Sequence, residues 1–350
     1  MSMNKPVISV VIPALNEEKV IGRCLASLAA QHIGPDQFEV IVVDNGSLDS
    51  TVAIARKFKS SLNLSVLEKK GSHVSAVRNL GAATARGQFL AFLDADCCAP
   101  PDWLGQAITL LQAGDGGVMG GYHSIPNPSS WLARAWYGDL SKRKQGPVSY
   151  IPCGTLLISR SVFNKVGGFD ETLQTSEDFD LCQRIGAAGY QVLAYPALST
   201  VHLGTPQTLR TFYRQQQWHG RGVRTVFLRD MLHPGFVKTF LLTGYTLFWT
   251  IASLLAIPIA ITAYNFYLLV VGPAFLLFGA TAMALRDAAQ RRRFGLVFPL
   301  TILYLVYGLA RCVSLLGRGR GRNARSVAPS LTGVHATTAP GCRSVNAPLS

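Results

Sequence analysis

Charge is scarce in this chain. Charged residues make up 15% of it against 49% hydrophobic, and the mean hydropathy is +0.25. Such a composition excludes an intrinsically disordered protein, and it is too apolar for an ordinary soluble domain. Part of the chain is therefore expected in a membrane. Acids almost vanish from the C-terminal third: residues 236–350 hold 11 Lys and Arg against the single acid Asp287, leaving only +4 of the net +14 on the first 235 residues. That near balance argues against a nucleic-acid surface on the N-terminal part. Paired cysteines are missing too. Cys24, Cys97, Cys98, Cys153, Cys182, Cys312 and Cys342 show no C-x-x-C spacing, so neither a zinc site nor a disulfide framework is encoded, and a reducing compartment is implied. The chain passes from Lys5 and Pro6 into an apolar run too short for a signal-peptide core and lacking a cleavage site, which keeps the first domain cytosolic. Internal repeats are also lacking.

What is present is a repeated alternation. Val7–Ile12 is a β-branched run, and Glu17–Gln31 follows with helical spacing through Val20, Ile21, Leu25 and Leu28. The pattern recurs as Glu39–Val43 then Ser50–Phe58, Leu64–Leu67 then His73–Arg86, and Phe89–Leu93 then Asp102–Gln112. Continuous apolar strands alternating with amphipathic helices predict an α/β fold, a mostly parallel sheet covered on both faces, with ligands at the strands' C-terminal ends. From 116 onward the order is less regular. Strands are expected near Gly117–Tyr122, Thr155–Ile158 and Gln191–Leu193, and helices at Ser161–Val166 and Asp178–Ala188.

Thr208–Leu228 predicts a helix with Arg210, Arg214, Arg221 and Arg224 on one face and Leu209, Phe212, Val223 and Phe227 on another, the pattern of an interfacial helix. No charged residue occurs between Lys238 and Arg286, a stretch of 47 residues. At about 20 residues per crossing this holds two spans, placed at 239–261 and 264–285. A basic cluster, Arg291–Arg293, precedes the apolar segment Phe294–Ala310, which is marginal for a third crossing. The domain plan is 1–235 (a nucleotide-binding half, 1–115, and an acceptor half, 116–235), a membrane region 236–316, and a disordered basic tail 317–350.

Polar residues gather just after the strands. Pro13-Ala14-Leu15-Asn16-Glu17-Glu18 follows the first and Asp44-Asn45-Gly46-Ser47-Leu48-Asp49-Ser50-Thr51 the second. Each alone reads equally as a helix cap or a glycine turn. The fourth strand ends in Asp94-Ala95-Asp96, where alternation puts both carboxylates on one face. Two acids forced together at a sheet rim repel, and a hard divalent cation with oxygen ligands relieves the repulsion while holding a diphosphate. A solvated acidic turn is the blander alternative.

Taken in order, these motifs resemble glycosyltransferase family 2, the inverting nucleotide-sugar enzymes of the GT-A fold, over roughly residues 7–228. The resemblance also draws on Arg78-Asn79-Leu80-Gly81, on Gly167-Gly168-Phe169-Asp170, and on Ser176-Glu177-Asp178-Phe179-Asp180-Leu181 with Arg184. It implies a GT-A domain, Rossmann-like, followed by an α-helical transmembrane region. By the same resemblance Asp44, Pro13, Asn16, Glu17, Asn45, Ser47 and Arg78 would bind the donor nucleotide. Asp96 would hold Mn2+ or Mg2+, with Asp94 supporting the ribose or the metal shell and His202 as a third ligand. Asp178 would be the general base, positioned or tuned by Glu177, while Gly154 and Trp218 would belong to the acceptor region. Asn45 stands where many relatives carry a second Asp. Gln215-Gln216-Gln217-Trp218 lacks the Gln-x-x-Arg-Trp of processive synthases, which favours single-sugar transfer.

The implied activity moves one sugar from a nucleoside diphosphate sugar to a lipid-linked or cell-surface glycan acceptor, at a multi-pass cell-membrane protein with its catalytic domain in the cytosol. The rival readings are a processive polysaccharide synthase and a non-catalytic nucleotide-binding membrane scaffold. The first is disfavoured by the small number of spans, the second by intact Asp94, Asp96 and Asp178.

Overall fold

The computed structural model describes residues 5–114, 117–138, 145–229 and 234–316, with side chains described outside 221–229, 234–240 and 315–316. The expected disordered tail, 317–350, lies outside the described residues. Contacts divide the chain into two compact units, one from residues 5–128 and 145–205, the other from 129–138 and 206–316.

The first unit opens with β1 (Ile8–Ala14), α1 (Ile21–Ala29), β2 (Phe38–Asp44), α2 (Thr51–Lys57), β3 (Leu64–Glu68), α3 (Val74–Thr84) and β4 (Phe89–Phe92). β5 (Cys97–Cys98), α4 (Trp103–Ala113), β6 (Val118–Gly120) and β7 (His123–Ser124) follow. The main sheet runs β3-β2-β1-β4 and then continues into strands from the second half of the unit; β1, β2, β3 and β4 are mutually parallel. Alternation sorts β1 cleanly. Ile8, Val10 and Ile12 enter one buried cluster with Leu25, Leu28 and Trp103, whereas Val11 enters another with Val77, Phe92 and Phe163. A sheet buried on both faces is what continuous β-branched runs require. Pro13 is tolerated because pairing with β4 ends at Val11↔Phe92, so its missing N–H leaves no gap in that ladder.

After α5 (Trp131–Tyr137), which belongs to the second unit, come β8 (Gly146–Pro147), β9 (Leu156–Ser159), α6 (Arg160–Lys165), α7 (Glu177–Ala187), β10 (Val192–Ala194) and β11 (Thr200–His202). β9 is antiparallel to both β4 and β6, and β10 extends the sheet beside β6. A second, small sheet has the order β5-β11-β7.

The second unit joins α5 to α8 (Leu209–Arg229), α9 (Pro234–Thr262), α10 (Leu268–Gln290) and α11 (Val297–Leu316). Three of these helices contain segments long and apolar enough to cross a membrane: Leu241–Thr262, Leu268–Gln290 and Phe294–Ser314. The third is a continuous helix rather than a marginal segment. The first unit ends at Thr205. Phe212 of α8 is buried with Leu132, Ala135 and Leu303, so the basic helix packs with the apolar helices of its own unit. Helix α1 also starts later than its sequence pattern suggests, because Glu17 to Val20 form a turn in which the Glu17 carbonyl accepts from Val20 and Ile21.

Candidate active site

The loops after β1 and β2 are laced together. The Asn16 N–H donates to Ser47 Oγ (2.8 Å), Glu17 N–H to Thr51 Oγ1 (2.7 Å) and Glu18 N–H to Asp49 Oδ2 (3.1 Å), while Leu48 N–H returns a bond to Asn16 Oδ1 (2.9 Å). This lacing holds Asn16 at φ 57°, left-handed backbone that Asn tolerates better than most residues. Asp44 Oδ2 accepts from Gly46 and Ser47 N–H groups (2.9 and 3.0 Å). Its Oδ1 is buried with no partner, an orphan that a base N–H donor would satisfy. Asn45 has its amide spent at both ends, donating to Ser72 O (2.8 Å) and accepting from Ser72 N–H (3.0 Å). It pins the third rim loop.

Arg78 of α3 is the buried cation of the site. Its guanidinium donates to Asp94 Oδ1 and to Glu177 Oε1, each at 2.6 Å, and its side chain is only 5% exposed. It clamps the end of the fourth strand to the start of α7, while its Nε is buried without a partner. Asn79 fixes the neighbouring segment by bonding both the N–H and carbonyl of Phe169 (3.0 and 2.9 Å). Ser176, just before Glu177 and Asp178, is held at φ 68°. A left-handed serine costs about 1–3 kcal/mol and persists only where surroundings impose it, a pattern concentrated at functional sites.

Around this clamp the carboxylates divide by environment. Burial would raise Asp94, but Arg78 holds it below the ordinary range. Asp96 goes up through burial and the nearby Asp94, with His202 opposing. Glu17 is pushed up to about 8 by burial and by the charges of Asp96 and Asp94. Asp178 is pushed up to about 7 by burial and by Glu177, against a bond from the Phe179 N–H (2.8 Å). One acid lies near neutrality, where a general base works best.

Sequence comparison agrees with this arrangement. A family model described as Glycosyl transferase family 2 matches residues 9–167, and one described as Glycosyl transferase family group 2 matches residues 89–285. The chain belongs to glycosyltransferase family 2. Glycosyltransferase AglE of Haloferax volcanii is 32% identical over 240 residues, covering 66% of this chain and 78% of that protein. The probable glycosyltransferase YdaM of Bacillus subtilis is 29% identical over 241 residues, covering 64% of this chain but only 57% of that protein. Among solved structures, a mannosyltransferase of Pyrobaculum calidifontis in complex with GDP-Man and Mn2+ superposes with a TM-score of 0.57 at 20% identity, covering 88% of this chain and 87% of that one. The shared fold is GT-A.

For a family 2 glycosyltransferase the carboxylate cluster suits a divalent ion, since the crowding of acids that pushes Glu17 and Asp96 up is what a cation would relieve. Asp96 and His202 lie together, Oδ2 to Nε2 at 3.4 Å. Two residues not singled out from the sequence join them. Cys97 and His123 complete the groups Asp96–Cys97–His202 and Asp94–Cys97–His123, whose ligand atoms lie within 4.8 Å of one another in each set. The register of the small sheet does this, with His202 opposite Cys97 and Thr200 opposite His123. Sequence spacing could not reveal it, because the three strands lie far apart in the chain. Gly154 sits against His123 and Cys97 in this first unit, whereas Trp218, ring-packed on His219, belongs to the second.

Proposed function

We propose that this glycosyltransferase is inverting and membrane-anchored, and that it moves one sugar from a nucleoside diphosphate sugar to a lipid-linked or cell-surface glycan acceptor from the cytosolic side. The observation carrying this reading is the division of carboxylates around Arg78: Asp94 kept ionised, Asp178 poised near neutrality. Asp178 takes the acceptor hydroxyl's proton as that oxygen attacks the anomeric carbon, and the sugar inverts because attack and departure occur on opposite faces. Glu177 is a positioning residue, held by Arg78. Asp96 and His202 would hold a Mn2+ or Mg2+ ion, which supplies Lewis-acid stabilisation of the leaving diphosphate. Asp44, Asn16, Glu17, Pro13 and Ser47 form the nucleotide end, where the orphaned Asp44 Oδ1 favours a base presenting an N–H. Gly154 and Trp218 are assigned to the acceptor region.

Thermal unfolding in Mn2+ with a panel of nucleoside diphosphate sugars tests this reading. A ligand at 100 times its Kd stabilises by about 2.7 kcal/mol, so at least one donor should raise the melting temperature, and slow donor hydrolysis should be lost in Asp178→Asn. No stabilisation by any donor, with or without metal, would refute it.

A further inference from the structure

We propose that Cys97 is a metal ligand: its thiolate, the Asp96 carboxylate and the His202 imidazole form a three-ligand seat that prefers a borderline ion such as Zn2+ or Co2+ over Mg2+. The inference deepens the metal role given to Asp96 above and rests on that reading.

Donor type carries the argument, with proximity beside it. One ligand atom from each of Asp96, Cys97 and His202 lies within 4.8 Å of the other two, His202 Nε2 facing Asp96 Oδ2 at 3.4 Å and Cys97 Sγ facing the other carboxylate oxygen, Oδ1, at 3.8 Å. Carboxylate, imidazole and thiolate together are a zinc donor set. An octahedral Mg2+ wants oxygen ligands, and it takes no sulfur. Three protein ligands with a fourth position open is the arrangement of catalytic rather than structural zinc sites. Here the open position would accept a diphosphate oxygen.

The surroundings are shaped for it. Cys97 is fully buried at the floor, while the Asp96 and His202 side chains keep 24% and 20% exposure, which leaves an entry path on their side. A Cβ at Gly204 would collide with Asp96 and His202, and one at Gly154 with His123 and Cys97; both glycines permit close approach to the seat. A buried cysteine is ordinarily an inert small hydrophobe. This one has two imidazoles and two carboxylates around it. Its sulfur is also 3.8 Å from His123 Nδ1, which makes Asp94–Cys97–His123 the competing triad. Asp94, however, is already neutralised by Arg78 at 2.6 Å, whereas the side chains meeting Asp96 are His202 and the thiol itself. On loading, the sulfur donates its electron pair to the ion and the thiol proton leaves to solvent, with no change of oxidation state.

The test uses the full chain in detergent, stripped of metal and titrated with Co2+. A near-ultraviolet sulfur-to-cobalt charge-transfer band should appear, be bleached by Zn2+, and persist in equimolar Mg2+. Cys97→Ser should abolish the band and weaken Zn2+ binding by more than about 100-fold, beyond the 10–100-fold typical of outer-shell partners. His202→Ala, which leaves the buried sulfur in place, should also abolish it and serves if Cys97→Ser does not fold. No band in the wild type, or a band that survives either substitution, overturns the proposal. Donor binding by the wild type in Mn2+ is scored separately: its failure with the band intact would sink the glycosyltransfer scheme and not the thiolate seat.

Discussion

Glu17 gives the sharpest test of the site's electrostatics. Burial and the charges of Asp96 and Asp94 move its carboxyl from an ordinary 4.5 to about 8. At about 1.4 kcal/mol per pH unit, this corresponds to about 5 kcal/mol between its protonated and ionised forms. The folded state holds the proton more tightly than the unfolded chain does. The group's contribution to stability is therefore complete below pH 4.5 and is lost progressively as the pH rises through about 8. Neighbouring acids share the repulsion, so about 2–5 kcal/mol is the expected loss. Glu17→Gln keeps the shape and removes the ionisation. Without metal it should unfold about 5–15 °C above wild type at pH 8.5, at roughly 2–4 °C per kcal/mol for a unit of this size, and within about 2 °C of it at pH 5. Saturating Mn2+ should shrink the difference at high pH, because the ion neutralises the charges that oppose Glu17. The assay is scanning fluorimetry of both proteins from pH 5 to 8.5, with chelator and with Mn2+. Parallel pH profiles in chelator would refute the reasoning.

Asp178→Asn should leave donor affinity near wild type and lower kcat by about 10²–10⁴; activity within a few-fold of wild type removes Asp178 from the mechanism. Because the ionised form is the base, wild-type kcat/KM should rise with pH and level off above about 7, and a flat profile from pH 5 to 8 contradicts the assignment. Asp96→Ala should weaken nucleoside diphosphate binding in Mn2+ but matter much less in chelator; equal losses by calorimetry would mean it contacts the donor directly. Arg78→Met leaves Asp94 and Glu177 buried without their cation, so denaturant unfolding should show a loss of about 3–5 kcal/mol, and a loss below 1 kcal/mol would deny the clamp. A reporter fused after Ser350 should be active on the cytosolic side, and activity only on the outer side would establish a third crossing.

The sheet and the motif loops were legible because both follow local rules. Runs such as Val7–Ile12 fix a buried strand, and side-chain alternation at Asp94-Ala95-Asp96 fixes a shared face. What escaped is long-range pairing. Nothing local ties Cys97 to His123 and His202, which meet only through the register of a three-stranded sheet. Arg78 shows the same limit. Its place in the motif says that a cation is needed near Asp94, but only the fold reveals that Glu177, 99 residues away, takes its other donor. The place of α8 follows the same rule. Amphipathicity tells which face of α8 is buried, and the fold tells that α5 and α11 bury it.

That burial bears on how α11 meets the membrane. Of the three segments long and apolar enough to cross a membrane, those in α9 and α10 are 11% and 17% buried, against 33% for the third. The helices covering α11 are α8, α10 and α9, with α5. Phe212 packs on Leu303, Arg311 reaches Gln216 Oε1 at 3.4 Å, and Ser314 Oγ donates to Gln217 O at 2.7 Å, so α8 and α11 run alongside over several turns. Helix α8 carries Arg210, Arg214 and three successive glutamines. Each arginine at the bilayer centre would cost about 2.5–3.5 kcal/mol even on the mildest scale. The reporter fused after Ser350 decides whether a helix with so polar a neighbour crosses. The end of α10 is pinned within the same unit, since Arg291 donates to the Ala135 and Trp136 carbonyls (2.9 and 3.1 Å) and Tyr304 of α11 donates to Asp287 (3.2 Å). Length alone would let α11 cross; the polar flank of α8 makes an interfacial position the expectation, and a reporter signal only on the outer side would overturn it.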